Sequence, residues 1–292
     1  MAVPEILYKY TTAETAKIIL NTGKLRWQSP CQFNDVQELQ RMPLFSPTFE
    51  EARPLYAERL YELAKSGLNM SIGFYSDWTK LLISELRSLP QDKISLDKTQ
   101  ALVDKYISEN GSKLQELLRK NTEQNNDGSL RCFCLTENSN HTLMWAHYAD
   151  SHKGCLFGLT HIKELSTPFL EAEKVQYSDT PPIIGSGLDF YLYGPSKELN
   201  RKTRLAIYHC KSEDWSYEKE WRVIHKNRSD KVKKYTDYKF YKNELESITF
   251  GLKTSDKDKK AILKIIESSY PHCKIYQMTT ENGSTNRNIL KG

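Results

Sequence analysis

Tyr217-Glu218-Lys219-Glu220-Trp221-Arg222-Val223-Ile224 enters an apolar, β-prone run directly after two closely spaced acids. In an extended strand residues i and i+2 share a face, so the spacing predicts Glu218 and Glu220 projecting side by side. Two carboxylates on one face repel, and their proximity raises the pKa of at least one. An acid/base site can use that arrangement, whereas a solvated strand gains nothing from it. The plainer reading is an exposed edge strand with alternating Glu, Lys, Glu and Arg charges. Tyr217 and Trp221 argue against it, because bulky aromatics beside a carboxylate pair supply apolar walls.

This strand belongs to a β-rich region that begins after Gly128. Residues 130–135, 155–159, 173–177, 220–225, 247–252 and 273–278 read as strands. Residues 142–149 read as a helix, and Ser255 caps another that carries Ile262, Leu263, Ile265 and Ile266. The amino-terminal part supplies a strand over 6–10 and a capping box of Thr11 and Glu14. Its helix stops at Gly23, and a second strand follows over 25–28. Between them, residues 43–127 change character. Phe49, Leu55, Leu60 and Leu63, then Trp78, Leu81, Leu82 and Leu86, recur at helical spacing; Leu102, Val103, Tyr106, Ile107, Leu114, Leu117 and Leu118 continue the pattern. The expected architecture is α+β: a mixed, mostly antiparallel β core over 1–42 and 128–292, split by a helical insertion lobe over 43–127. That lobe is expected to pack on its own apolar stripes, leaving charged faces for solvent or another protein. The stretch around Pro181-Pro182 and Gly185-Ser186-Gly187 reads as a long loop able to cover a site, and the tail from Thr279 as loose.

Composition sets the outer limits. The 292 residues include 38% hydrophobic side chains and 17 tyrosines, which suits a folded globule with a sizeable core. A net charge of +5 permits an anionic ligand or nucleic acid without demanding one. No apolar run reaches membrane-spanning length and the start lacks a signal-peptide pattern, so the expected location is the cytoplasm, with no membrane partner. Six cysteines are too few for a disulfide scaffold at this length. Cys132, Cys134 and Cys155 with His141, His147 or His152 match no usual zinc spacing, and reduced core cysteines are the favoured reading, with no metal site expected.

Two further segments look chemical. Tyr8-Lys9-Tyr10-Thr11-Thr12 sets aromatics, a cation and hydroxyls where a strand leads into a helix N-terminus, which attracts anions. Met144-Trp145-Ala146-His147-Tyr148, followed by Asp150 and His152-Lys153-Gly154, crowds Trp, His, Tyr and Asp beside a glycine turn. Together with Phe33-Asn34-Asp35 and the stretch from Trp215 to Arg222, these blocks resemble the uncharacterised bacterial family known as domain of unknown function 2971, which includes AbiGi-like abortive-infection proteins. The resemblance implies a bacterial, phage-defence or toxin setting and names no reaction.

The order of elements is also more distantly similar to ADP-ribosyltransferases, which implies that family's split sheet and NAD as a substrate. On that resemblance Glu220 holds a nicotinamide-ribose hydroxyl and Glu218 prepares the acceptor. Tyr8, Lys9, Tyr10, Thr11, Trp145, His147, Tyr148 and Arg222 would bind the dinucleotide. Lys9 stands where the superfamily has a His or Arg, a departure from its pattern. The implied activity is transfer of ADP-ribose to an unknown acceptor, protein or nucleic acid, or hydrolysis of NAD. Two other readings stay open. One is a magnesium-dependent nuclease using Glu218, Glu220 and Asp35, with Lys9 or Arg222 on phosphate; the other is a non-enzymatic nucleotide sensor.

Overall fold

Thr12 starts the first helix, Ala13–Thr22, by accepting the N–H of Thr15 on its side chain. The expected cap at Thr11 moves by one residue because the sheet claims Thr11, whose partner is Cys155. Gly23 ends the helix in the left-handed region (φ 63°), where the absence of a Cβ removes the steric cost. Its N–H bonds the Ile19 carbonyl at 2.8 Å, and the strand Lys24–Gln28 follows. In this computed structural model residues 2–33, 35, 42–67, 74–108, 129–227 and 232–291 are described.

Two compact units divide the chain. The first comprises Met1–Val36, Asn126–Tyr177 and Lys211–Gly292; the second comprises Gln37–Asn125 and Ser178–Cys210. The first is built on a ten-stranded sheet. Eight strands run in the order Tyr235–Lys239, Lys24–Gln28, Leu130–Thr136, Ile6–Thr11, Cys155–Thr160, Leu245–Phe250, Lys274–Glu281 and Ser284–Lys291. Glu220–Lys226 pairs with Leu130–Thr136 along its whole length and with the short strand Glu173–Lys174. Every pairing in this sheet is antiparallel except that of Leu245–Phe250 with Lys274–Glu281. The protein is therefore α+β with a mostly antiparallel sheet.

One face of this sheet carries the main core. Leu7, Phe133, Leu135, Phe157, Trp221, Val223, Ile248, Phe250 and Ile275 all point there, with Ile19 and Leu20 of the first helix and Ile262 and Ile266 of the helix Asp256–Ser269. Complete burial of such side chains contributes about 1.5–3 kcal/mol each. Alternation sends their strand neighbours to the other face, where Tyr10, Leu156 and Met278 meet Met144 and Trp145 of the short helix Thr142–Tyr148.

The sheet opens along one seam. Ile6–Thr11 pairs with Leu130–Thr136 only at Tyr8↔Thr136, and Lys24–Gln28 meets the same strand only at Gln28↔Cys132. In that gap the Lys9 ammonium donates to the Cys134 carbonyl at 2.8 Å and lies 5.2 Å from the centre of the Phe133 ring. A side chain thus satisfies a carbonyl that no neighbouring strand reaches there.

Helices dominate the second unit: Phe49–Lys65, Asp77–Arg87, residues 96–108, Gly187–Tyr193 and Lys197–Tyr208. Leu60, Leu63, Leu82, Leu86, Val103 and Ile107 enclose its core, as their helical spacing predicts, whereas Leu55 and Leu81 of the same expected stripes are exposed. Leu114, Leu117 and Leu118 lie outside the described residues. The loop expected near Gly185 is instead the strand Ile183–Gly185, paired with Leu44–Phe45, followed by a helix capped by Ser186. The tail expected to be loose forms a hairpin of Lys274–Glu281 and Ser284–Lys291, turning at Asn282 and Gly283 with positive φ. Edge pairing overrode a segment whose own pattern gave no strand signal.

Beyond Tyr148 three consecutive residues, Asp150, Ser151 and His152, have φ of 47°, 52° and 70°. Left-handed backbone costs about 1–2 kcal/mol for each non-glycine residue. The turn is held by Ser151 N–H to Ala146 O, His152 N–H to Trp145 O and Gly154 N–H to Ala149 O. Gly154 also passes against the first strand, where an added Cβ would stand 2.1 Å from the Thr11 carbonyl oxygen. Gly154→Ala is therefore expected to lower unfolding stability by about 1–3 kcal/mol, read by urea denaturation. An unchanged midpoint would contradict the close approach.

Candidate functional site

Glu218 and Glu220 lie on different elements. Glu218 closes the 3-10 helix Glu213–Glu218, and Glu220 opens the strand Glu220–Lys226. Between them Lys219 is left-handed (φ 44°), so the expected two-residue strand spacing does not apply. The carboxylates still converge because one ammonium reaches both: Lys211 Nζ is 2.7 Å from Glu218 Oε2 and 3.6 Å from Glu220 Oε2.

Each acid has further partners. Arg222 donates from Nε and Nη2 to Glu220 Oε1 at 2.9 and 2.8 Å, and the Tyr148 hydroxyl donates to Glu218 Oε1 at 2.5 Å. The backbone N–H of Glu220 donates to the Tyr177 hydroxyl at 2.7 Å. Thr136 donates its hydroxyl to the Glu218 carbonyl, fixing the end of the 3-10 helix over the Leu130–Thr136 strand. All four charged side chains are buried, Arg222 to 1% exposure and Lys211 to 7%.

Burial alone would raise the Glu220 carboxyl. The Arg222 guanidinium and the Lys211 ammonium, with a hydrogen bond from the Cys134 thiol, hold it down at about 2. The spacing predicts a raised acid, and Glu220 is instead lowered, because Arg222 and Lys211 stand against its carboxylate. Burial and the Glu218 charge push the Tyr148 hydroxyl far above the usual tyrosine range, so it stays protonated and donates. Burial likewise raises the Cys134 thiol and the Tyr177 hydroxyl.

The strand register places the other expected residues. Thr136 is the partner of both Tyr8 and Glu220, so those two flank it in one row of the sheet. Tyr10, on the same face as Tyr8, donates its hydroxyl to Asn138 O at 3.0 Å and presents its ring edge-on to Trp145 at 5.1 Å. Trp145 is buried, with its other neighbour His152 stacked at 6.4 Å. His147 is exposed, with its ring 6.3 Å from that of Tyr148. By strand alternation Lys9 and Thr11 leave from the opposite face to Tyr8 and Tyr10, and Lys9 reaches the site only through Cys134. Tyr148 and Arg222 are the expected residues that touch the glutamates directly.

Lys211 and Tyr177 carried no sequence signal. One is a single lysine at the end of a two-residue strand and the other a tyrosine among 17. Among the described residues no three His, Cys, Asp or Glu side chains are placed to hold a metal ion. Neither the zinc set around Cys132 and Cys134 nor the magnesium set of Glu218, Glu220 and Asp35 therefore assembles. All six cysteines are free.

A family model described as "Protein of unknown function (DUF2971)" matches residues 144–223. The match runs from the Thr142–Tyr148 helix through Lys211, Glu218, Glu220 and Arg222, so it encloses most of this charge network. No curated protein and no solved structure matches the chain. No described helix is long and apolar enough to cross a membrane.

The depressed Glu220 carboxyl links stability to pH. A carboxyl that binds its proton less readily when folded stabilises the fold above its unfolded pKa, and that stability is lost as pH falls towards the folded value. The loss should run from about pH 4.3, the ordinary glutamate value, down towards pH 2. Urea midpoints measured across this range should fall more steeply for the wild type than for Glu220→Gln. Parallel curves would show that Glu220 is not held ionised.

Proposed function

We propose that the chain is an NAD-consuming enzyme of the ADP-ribosyltransferase kind. It would cleave the nicotinamide–ribose bond and pass ADP-ribose to an acceptor or to water, in a bacterial defence or toxin setting. The observation that carries this reading is a buried carboxylate, Glu220, held ionised by Arg222 and Lys211.

The leaving group explains why an ionised acid suits the reaction. The pyridinium nitrogen of NAD is already cationic, so nicotinamide departs neutral with the bonding pair and needs no proton from the protein. Glycosidases that must protonate an alkoxide leaving group require a carboxylic acid of raised pKa. Here the need is a preorganised negative charge facing the oxocarbenium ion as it forms. Glu220 would supply it and hold a ribose hydroxyl. Glu218 would take the proton of the attacking acceptor, with Tyr148 and Lys211 fixing its two oxygens. Tyr8, Tyr10 and Arg222 lie on the same sheet face as Glu220 by register and would line the dinucleotide site. The family match covers Tyr148, Lys211, Glu218, Glu220 and Arg222 and is silent on chemistry. The magnesium reading lacks its donor set among the described residues.

The test is release of nicotinamide from labelled NAD, with and without cell extract as a source of acceptor. Glu220→Gln, shown by circular dichroism to be folded, should lose about 10²–10³-fold in kcat. Its affinity for NAD should remain close to that of the wild type, because the lost charge acts in the transition state. Glu218→Gln should hydrolyse NAD more readily than it transfers ADP-ribose. No turnover by the wild type, or full turnover by Glu220→Gln, overturns the assignment; tight NAD binding without turnover would indicate a sensor.

A further inference from the structure

The carboxy-terminal hairpin brings one arginine onto the face of the sheet that carries Tyr8, Tyr10 and Glu220. Tyr8 pairs with Gly158, which pairs with Ser247; Tyr10 pairs with Leu156, which pairs with Thr249, which pairs with Tyr276. Arg287 pairs with Met278, two residues beyond Tyr276 and therefore on the same face. Strand alternation thus sets Tyr8, Ser247, Thr249, Tyr276 and Arg287 together, opposite the main core.

The guanidinium is fixed in place. Its carbon lies 3.6 Å from the centre of the Tyr276 ring and 5.5 Å from that of Tyr8. Nε donates to Thr249 Oγ1 at 2.8 Å and Nη2 to Ser247 Oγ at 3.0 Å, and both hydroxyl residues are fully buried. Gly158 keeps this floor low, since a Cβ there would meet Ser247 Oγ at 2.3 Å. The hairpin itself is tied to the loop beside the glutamate site: Asn140 Nδ2 donates to Thr285 O at 2.7 Å, and Thr285 Oγ1 donates to Asn140 Oδ1 at 3.0 Å.

No carboxylate completes the arrangement. Every other contact of Arg287 is with a hydroxyl or a ring, and among the described residues no acid lies within ion-pair distance of it. The Glu246 carboxylate, which stands over Gly158, is paired with Lys274 at 3.0 Å and lies beyond ion-pair distance of Arg287. The planar fork of a guanidinium matches two acceptor oxygens of a carboxylate or phosphate. Two of its five N–H groups are used here, and the rest make no hydrogen bond to a described residue. Arg287 is only half-buried, so a ligand can reach it.

We propose that Arg287, clamped by Tyr276, Tyr8, Ser247 and Thr249, is an anion-binding residue that takes the phosphate oxygens of a pyrophosphate-bearing ligand. Assigning that ligand to NAD rests on the reading given above; the anion site itself does not. The Tyr8 and Tyr276 rings supply flat surfaces that hold the guanidinium without neutralising it.

The site is tested first with inorganic pyrophosphate and ADP-ribose, which need no turnover. Titration calorimetry should give binding to the wild type that weakens about 10- to 100-fold in Arg287→Gln, as charge-assisted hydrogen bonds are lost. Arg287→Lys should fall between the two, since it keeps the charge and loses the fork. Protection of Arg287 from phenylglyoxal by pyrophosphate, mapped by mass spectrometry on the wild type, gives the same answer should the variants misfold. Equal affinities in all three proteins, or no protection, overturn the site whatever NAD does. With NAD as substrate, Arg287→Gln should raise KM and leave kcat nearly unchanged. An unchanged KM in an active enzyme overturns the assignment to NAD, whereas absence of NAD turnover with Arg287-dependent pyrophosphate binding removes the enzymatic reading and keeps the site.

Discussion

Lys211 stands between Glu218 and Glu220, and the site depends on that one ammonium. Burying two carboxylates beside each other is costly, and their repulsion would ordinarily be relieved by protonating one. Lys211 faces both and Arg222 closes on Glu220, so the buried set contains two acids and two cations. The balance explains why Glu220 is held below the usual carboxylate range in a place where burial works against it. It also gives Tyr148 and Cys134 their roles, since each stays protonated beside a carboxylate it can bond, while the Tyr177 hydroxyl accepts the Glu220 backbone N–H. Removing one member would strand the others in a dry environment, at about 3–5 kcal/mol for a broken buried pair.

The same network ties together pieces that are far apart in the chain. Tyr148 comes from the short helix that follows Leu130–Thr136, Lys211 from a two-residue strand, and Glu220 from the strand that zips along Leu130–Thr136. Thr136 joins them to the amino-terminal strand by pairing with Tyr8 on one side and Glu220 on the other. The seam beside it stays open, with Lys9 bridging to Cys134 O. Side chains replace the missing rungs of the ladder, and the strands are left free to diverge where the polar residues gather.

Much of the fold was legible because it is encoded locally. Helical spacing over Phe49 to Leu63 and Trp78 to Leu86, the glycine stop at Gly23 and the Ser255 cap all appear where the residues placed them. The strand Glu220–Lys226 and its pairing partner Leu130–Thr136 were each visible as β-prone runs. The hairpin ending at Lys291 was not, because Ser284–Lys291 is polar and gains its order from the neighbouring strand rather than from its own composition. The strand Ile183–Gly185 escaped notice for the same reason, whereas the helix after it is started locally by the Ser186 cap.

The sequence by itself determined the class of the fold, the region holding the acid pair and the aromatic blocks around it, since all of these rest on spacings of a few residues. Tertiary structure decided what those acids are. Local spacing implied two repelling carboxylates, one of raised pKa; folding brought Lys211 to both and depressed Glu220 instead. It also carried Arg287 from the last strand to the face that Tyr8 shares. Coulomb interactions act through space and fall off over a few ångströms of distance, not over residues of chain. Which charges meet is therefore a property of strand register and crossover, and neither can be read from a single stretch of sequence.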